Sequence, residues 1–337
     1  MKKVLGVVFL LGCVFCAQFG LWWLRAGKYT QPQTVEIPAG ASAQQIARLL
    51  KASGVIDSVT FFYWGSRLQG VSHGMQAGKY RFALGLTPLQ ILQQVVTGEV
   101  YAEVVFEITI PEGESTKWVY PRIAADLGVS LQQVQQATMQ VRLPDVWAVP
   151  RASLEGFLYP AKYTFFDRMP SPEQVLQKMV DTFATKLPEG YVQQCAQHQL
   201  TVAQAVAFAS LIEKETDLAV ERSLVAEVIW NRLRRGEPLG IDAAVIYGVE
   251  DFDGNLTRAH LRDRANPYNS RRHKGLPPTP IASPSHESLL AVFTPTNHGY
   301  NYYVLKAGGQ GEHVFSRTLQ EHNRAVRALV KYSRSKH

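Results

Sequence analysis

Two carboxylates close an apolar run in A-S-L-I-E-K-E-T, residues 209–216. Thr201 with Gln204 three residues on is a capping-box pattern, so the run reads as a helix from about 201 to Glu215. At about 100° per residue, Val202, Val206 and Ala209 share one side, while Phe208, Leu211 and Ile212 cover most of the other. A helix that is apolar nearly all round is buried. Glu213 then projects near the Val202 side and Glu215 near Phe208 and Leu211. Residues two apart on a helix do not face each other. The pair therefore cannot share a proton, and the two groups enter different surroundings. A half-buried carboxyl has its charged form disfavoured, keeps its proton towards neutrality and can serve as a general acid. The plainer alternative is two ion-paired glutamates at a solvated helix end. A second helix, about Val220–Leu233, follows and brings Arg222, Asn231 and Arg232 alongside.

Other chemistries lack their signatures. No serine stands in G-x-S-x-G, no H-E-x-x-H is present, and no G-x-x-x-x-G-K-[ST]. A-G-G-Q-G-E-H-V-F (307–315) has no phosphate-binding lysine and reads as a hairpin loop. No Cys-rich zinc pattern occurs, and neither a metal nor an organic cofactor is expected.

The elements that must carry the carboxylates begin with an apolar run. Val4–Leu24 contains one polar residue, Gln18, and as a helix spans about 32 Å, enough for a bilayer core. Trp22 and Trp23 fall where interfacial aromatics belong, Lys2 and Lys3 precede, and Arg25 and Lys28 follow. A cleaved signal peptide would want a shorter apolar region and an A-x-A site. L-L-G-C (10–13) faintly resembles an acylation site, but the run continues well past Cys13. The expectation is an uncleaved single-pass inner-membrane helix with the bulk of the chain in the periplasm. Cys195 alone lies beyond it, which leaves the exported part no internal disulfide. The net charge of +7 suits an anionic partner, and export makes that a wall polymer or lipid pyrophosphate and not nucleic acid.

Two strand–turn–helix units follow. Ile37-Pro38-x-Gly40-x-Ser42 returns as Ile110-Pro111-x-Gly113-x-Ser115. Between them lie a helix around Thr60–Leu68, a strand at Lys79–Leu84 and a Pro-started helix from Thr87 closed by Gly98. The order V-x-x-x-x-G-x-S-x-x-x-I-A, then G-V, resembles LysM modules, which bind glycans containing N-acetylglucosamine. The expected organisation is α+β throughout: tail 1–3, span 4–24, tether 25–33, a LysM-like α+β region with a weak repeat at 34–148, and a larger α+β catalytic domain at 149–337.

Six stretches in order carry a wider resemblance: L-E-G-F-L-Y-P-A-K-Y-T-F (154–165), A-S-L-I-E-K-E-T (209–216), V-I-W-N-R-L-R-R-G-E-P-L-G-I-D-A-A-V-I-Y-G (228–248), N-P-Y-N-S (266–270), G-L-P-P-T-P-I-A-S-P-S (275–285) and H-V-F-S-R-T-L-Q-E-H-N (313–323). Together they resemble the endolytic murein transglycosylase family (MltG, YceG-like), over essentially the whole chain. The resemblance implies an inner-membrane enzyme that cuts peptidoglycan glycan strands internally, beside the peptidoglycan synthases, leaving 1,6-anhydro-N-acetylmuramic acid ends. It implies Glu215 as the catalytic acid and base. It places Glu155, Asp242, Tyr247, Tyr268 and Asn269 along the glycan groove, with Glu213 and Asn231 as further substrate-binding candidates and His313 and Asn323 as weaker ones. The chain departs from the family's P-D-T-Y at Ala161, from D-P-T-V at Ala243 and Ala244, and from Y-N-T-Y at Ser270 and Arg271. Those losses favour one alternative, a non-catalytic glycan-binding scaffold; a further one, a hydrolytic muramidase, would need a second carboxylate such as Glu155 or Asp242 placed to activate water.

Overall fold

A computed structural model describes residues 13–14, 17–149 and 153–335. The chain is α+β and falls into two compact units, Met1–Val104 and Val105–His337. The division comes well before the boundary expected at 148/149. The second strand–turn–helix unit, 107–129, supplies Ile108, Ile110, Val119 and Ile123 to the core of the second unit. Chemical similarity to the first repeat does not decide which core a segment joins; the partner of its strand does.

In the first unit, β1 (Gln33–Ile37) pairs antiparallel with β2 (Gly78–Phe82), Val35 opposite Tyr80. Between them run α1 (Ala43–Ala52) and α2 (Val59–Leu68), and α3 (Pro88–Thr97) follows. The expected capping box at Ser42 and Gln45 closes with both bonds, and a second one, not expected, forms at Thr87 and Gln90. Gly98 ends α3 at φ 73°, a left-handed turn that costs glycine nothing. Ile46, Leu50, Phe62, Tyr80, Phe82 and Ile91 fill the core.

Among the described residues no helix is long and apolar enough to cross a membrane. Residues 4–12, 15 and 16 of the expected span lie outside the described residues. Residues 17–24 are helical, and Trp23 stacks on Phe62 of the first unit at 5.8 Å between ring centroids. A Cβ at Gly65 would overlap the Trp23 indole. Gly27 and Tyr29 bond backbone carbonyls at Leu86 and Ala83.

In the second unit, β3 (Val104–Thr109) pairs with β4 (Lys162–Phe166). The helices that follow are α4 (Thr116–Leu127), α5 (Leu131–Thr138), α6 (Pro172–Lys186), α7 (Tyr191–Gln197), α8 (Val202–Glu215), α9 (Arg222–Arg234), α10 (Asp242–Tyr247), α11 (Arg258–Arg262) and α12 (His286–Ala291). A hairpin of β5 (Tyr302–Leu305) and β6 (His313–Ser316) precedes the closing α13 (Leu319–Ser335). The glycine-rich 307–311 forms its loop, as the composition implies. α8 is the axle of this unit: every residue from Ala205 to Ile212 is buried, and α7, α9, α10 and α12 pack around it. Full burial of one side chain the size of Phe208 stabilises by about 1.5–3 kcal/mol.

Candidate active site

The Thr201 capping box starts α8 as expected. The helix stops because Thr216 turns extended, at φ −152°. The Thr216 hydroxyl accepts from the Leu218 backbone N–H at 3.1 Å and donates to Glu221 Oε2 at 3.1 Å. Glu221 also accepts from the backbone N–H and the Nδ1 of His313, both at 2.7 Å. This buried carboxyl thus pins the first residue of β6 to the turn after α8.

A second buried carboxyl pins β5. Glu227 on α9 accepts from Thr296 Oγ1 at 2.5 Å and from the backbone N–H groups of Gly299 at 2.5 Å and Tyr300 at 3.0 Å. Asn231 donates to the Tyr300 carbonyl at 2.6 Å, and Arg232 donates to those of Asn301, at 3.0 Å, and Leu239. The Arg232 guanidinium lies over the Tyr302 ring at 5.4 Å. Held this way, β5 presents Tyr303, whose hydroxyl donates to Glu215 Oε2 at 2.6 Å.

Burial lifts the Glu215 carboxyl above the ordinary carboxylate range. The Tyr303 bond and the nearby His313 and Arg232 pull it back, and the negative charge of Asp242 pushes it up again. Glu213 diverges, as the helical geometry demands. Its Oε2 accepts from the Ser285 backbone N–H at 2.9 Å and from Ser285 Oγ at 2.5 Å, at the start of α12. Lys214, between the two, donates to the Gly113 carbonyl at 3.0 Å. One carboxyl is spent on structure. The other is part-buried, with its proton affinity raised by burial and one oxygen bonded by Tyr303.

The remaining sequence-derived candidates divide in the same way. Glu155 is 1% exposed and accepts from Thr116 N, Thr116 Oγ1 and Tyr247 Oη, the last two at 2.6 and 2.9 Å. It caps α4 in place of Ser115, whose side chain makes no cap bond. Asn269 is wholly buried and donates to the carbonyls of His260 and Asp263. Asn231 is spent on Tyr300, as above. Asp242 is half-exposed and paired with Arg271 at 2.7 Å. Tyr268 packs edge-on to Tyr247 at 4.8 Å and shares a hydrogen bond with Thr279. So Glu215, Asp242 and Tyr303 gather at one place, while Glu155, Glu213, Asn231 and Asn269 have their polar atoms committed to internal partners. Asn323, on α13, makes no side-chain hydrogen bond among the described residues. The departures also find roles: Ser270 Oγ bonds both the N–H and the C=O of Ile241 just ahead of α10, and Arg271 supplies the partner of Asp242.

A cleft of about 700 Å³ opens beside the end of α8, with Lys214, Ala243 and Tyr247 in its walls. Among the described residues no group of three His, Cys, Asp or Glu side chains gathers as metal ligands. Sequence reasoning missed Tyr303, Glu221 and Glu227. Glu227 carried a signal, a lone carboxylate flanked by Val225, Ala226, Val228 and Ile229; Tyr303 carried none.

The YceG-like family model matches residues 35–328. An endolytic murein transglycosylase of Bacillus subtilis is 31% identical over 311 residues, which are 88% of this chain and 84% of that protein. One from Streptococcus pneumoniae is 25% identical over 87% of this chain and 57% of its own length, so the chain spans just over half of that relative. Among solved structures, a YceG-like protein of Listeria monocytogenes matches with a TM-score of 0.58 at 27% identity, covering 88% of this chain and 99% of that one. The chain belongs to the YceG-like family, and its class is that of the lytic transglycosylases.

Proposed function

We propose that the protein cuts murein glycan strands internally, between N-acetylmuramic acid and N-acetylglucosamine, with Glu215 as the one acid–base group. The observation that carries this reading is the part-buried Glu215 carboxyl, its proton affinity raised by desolvation and one oxygen held at 2.6 Å by Tyr303. Glu215 gives its proton to the glycosidic oxygen as the C1–O bond breaks. The muramic acid's own 6-hydroxyl attacks C1, and its proton passes to the Glu215 carboxylate. The acid is regenerated, no water is consumed, and the product end is 1,6-anhydro. Because the nucleophile is intramolecular, one carboxyl suffices where hydrolytic glycosidases ordinarily use two. Acid–base assistance of this kind is typically worth about 10²–10⁴-fold.

Around that step the reading assigns the remaining parts. The Val4–Leu24 run anchors the chain in the inner membrane, with the bulk of it in the periplasm. The first unit, through its LysM-like pattern, grips the strand. Tyr247, Tyr268 and Asp242 border the groove, and Glu155, Glu213, Asn231 and Asn269 hold its walls. Cutting beside the synthases ends strand elongation.

Product analysis tests the chemistry. Full-length protein and its Glu215→Gln variant are given uncrosslinked glycan strands, and fragments are weighed by mass spectrometry. Fragments one water lighter than hydrolysis products, from the wild type alone, are expected. Hydrolytic masses would establish a muramidase instead. Glycan binding without cleavage would establish a scaffold.

A further inference from the structure

We propose that the cleft beside the end of α8 is a peptide subsite, which takes the short charged peptide branching from the lactyl group of a muramic acid in the strand being cut. The inference rests on murein being the substrate.

Position comes first. Lys214 lines the cleft and Glu215 does not. Neighbours on a helix point about 100° apart, so the cleft opens to one side of the carboxyl that meets the scissile oxygen. A substituent of the sugar leaves the strand in such a sideways direction; the next sugar continues along it. The volume of about 700 Å³ lies within the usual range for pockets that enclose a ligand of a few hundred daltons.

The charges decide what kind of ligand. Two lysines line the cleft, and each spends one proton on a backbone carbonyl: Lys214 on Gly113 at 3.0 Å and Lys117 on Tyr247 at 2.7 Å. The Lys117 ammonium also lies 4.8 Å from the centre of the Tyr247 ring. An ammonium has three donors, so two on each remain free. Glu114, Glu250 and Asp251 line the same cleft. Among the described residues none of the five enters an ion pair, and none of the three carboxylates accepts a side-chain hydrogen bond. Cations and anions therefore border one cavity without neutralising each other. A neutral sugar chain has no use for that arrangement. The murein stem peptide carries several carboxylates and, in the diaminopimelate type, a side-chain ammonium, and so supplies both signs. Charge-assisted bonds to those groups are the strong ones.

The test compares two substrates on the full-length protein: uncrosslinked strands that bear peptides, and the same strands stripped of peptide by an amidase. Peptide-bearing strands should show the lower KM. Lys117→Glu should raise that KM by about tenfold or more and close the gap between the substrates, and Lys117→Arg should restore it. A gap unchanged in Lys117→Glu, or none in the wild type, overturns the subsite even if anhydro ends form normally. A second measurement needs no turnover: calorimetric titration of Glu215→Gln with the free pentapeptide L-Ala-γ-D-Glu-meso-diaminopimelate-D-Ala-D-Ala. Binding that Lys117→Glu abolishes supports the subsite whatever the reaction proves to be. Absence of binding to the Glu215→Gln protein counts against it.

Discussion

Replacing Tyr303 by Phe removes one oxygen and leaves the ring. Edge contacts of that ring with His313, at 5.4 Å, and its packing on Phe315, at 5.8 Å, are kept, so the hairpin stays in place. What is lost is the O–H donor at 2.6 Å from Glu215 Oε2, a length typical of a hydrogen bond to an ionised oxygen. Such bonds are worth about 1.5–3 kcal/mol to the charged form. The proton affinity of Glu215 therefore rises by roughly ten- to over a hundredfold, on top of the upward push of burial already present. In the proposed mechanism the reaction starts from protonated Glu215, so kcat/KM should fall above the pKa of Glu215 in the free enzyme. In Tyr303→Phe that alkaline limb moves to higher pH. Its plateau drops at the same time, because a carboxyl that holds its proton harder gives it less readily. The assay is the release of anhydro ends from uncrosslinked strands between pH 4 and pH 9, about one reading per half unit, with a melting curve to show that the variant folds. A limb that stays in place or moves down, in a folded variant, would refute the assignment of Tyr303 as the group that tunes the acid.

Asp242→Asn should act in the opposite sense. Its negative charge helps keep Glu215 protonated, so its removal moves the alkaline limb of the same profile to lower pH. Glu215→Gln should stabilise the protein at neutral pH and above. The folded-state pKa of Glu215 is raised, so its contribution to stability is fully present below the unfolded pKa and is lost as pH rises through the folded one. The variant's melting temperature should exceed the wild type's at pH 8 by about 2–4 °C for each kcal/mol relieved, and the gap should close towards pH 4. Glu213→Ala should cost about 1–3 kcal/mol of stability through the lost bonds to Ser285, read by denaturant melting, while the alkaline limb stays where it is in the wild type.

The divergence of Glu213 and Glu215 was legible because it follows from helical geometry alone. The capping boxes at Ser42 and Thr201 were legible because both partners lie within four residues. Tyr303 was not: it stands 88 residues from Glu215, in a strand whose side chains give no hint of what they face. Glu155 fell between the two. Its motif marked it as notable, but its work is to cap a helix that begins 39 residues earlier, a pairing only the tertiary fold creates. The same limit explains the boundary. The repeat at 107–129 copies the first in pattern, yet β3 pairs with β4 and so belongs to the second core.

Glu215 sits on α8, but the groups that bond and brace its surroundings come from far downstream. Tyr303 and His313 lie on the hairpin just ahead of the last helix. A polypeptide emerges from the ribosome N-terminus first, and a domain folds as a unit. Until β5 and β6 are released, Glu215 has no tyrosine at its carboxyl and Glu221 has no histidine to clamp. A chain truncated anywhere before residue 303 carries the E-K-E-T helix without the Tyr303 hydroxyl at Glu215 Oε2. The surroundings of Glu215 are therefore complete only once Tyr303, 88 residues further along the chain, has been made and folded into place.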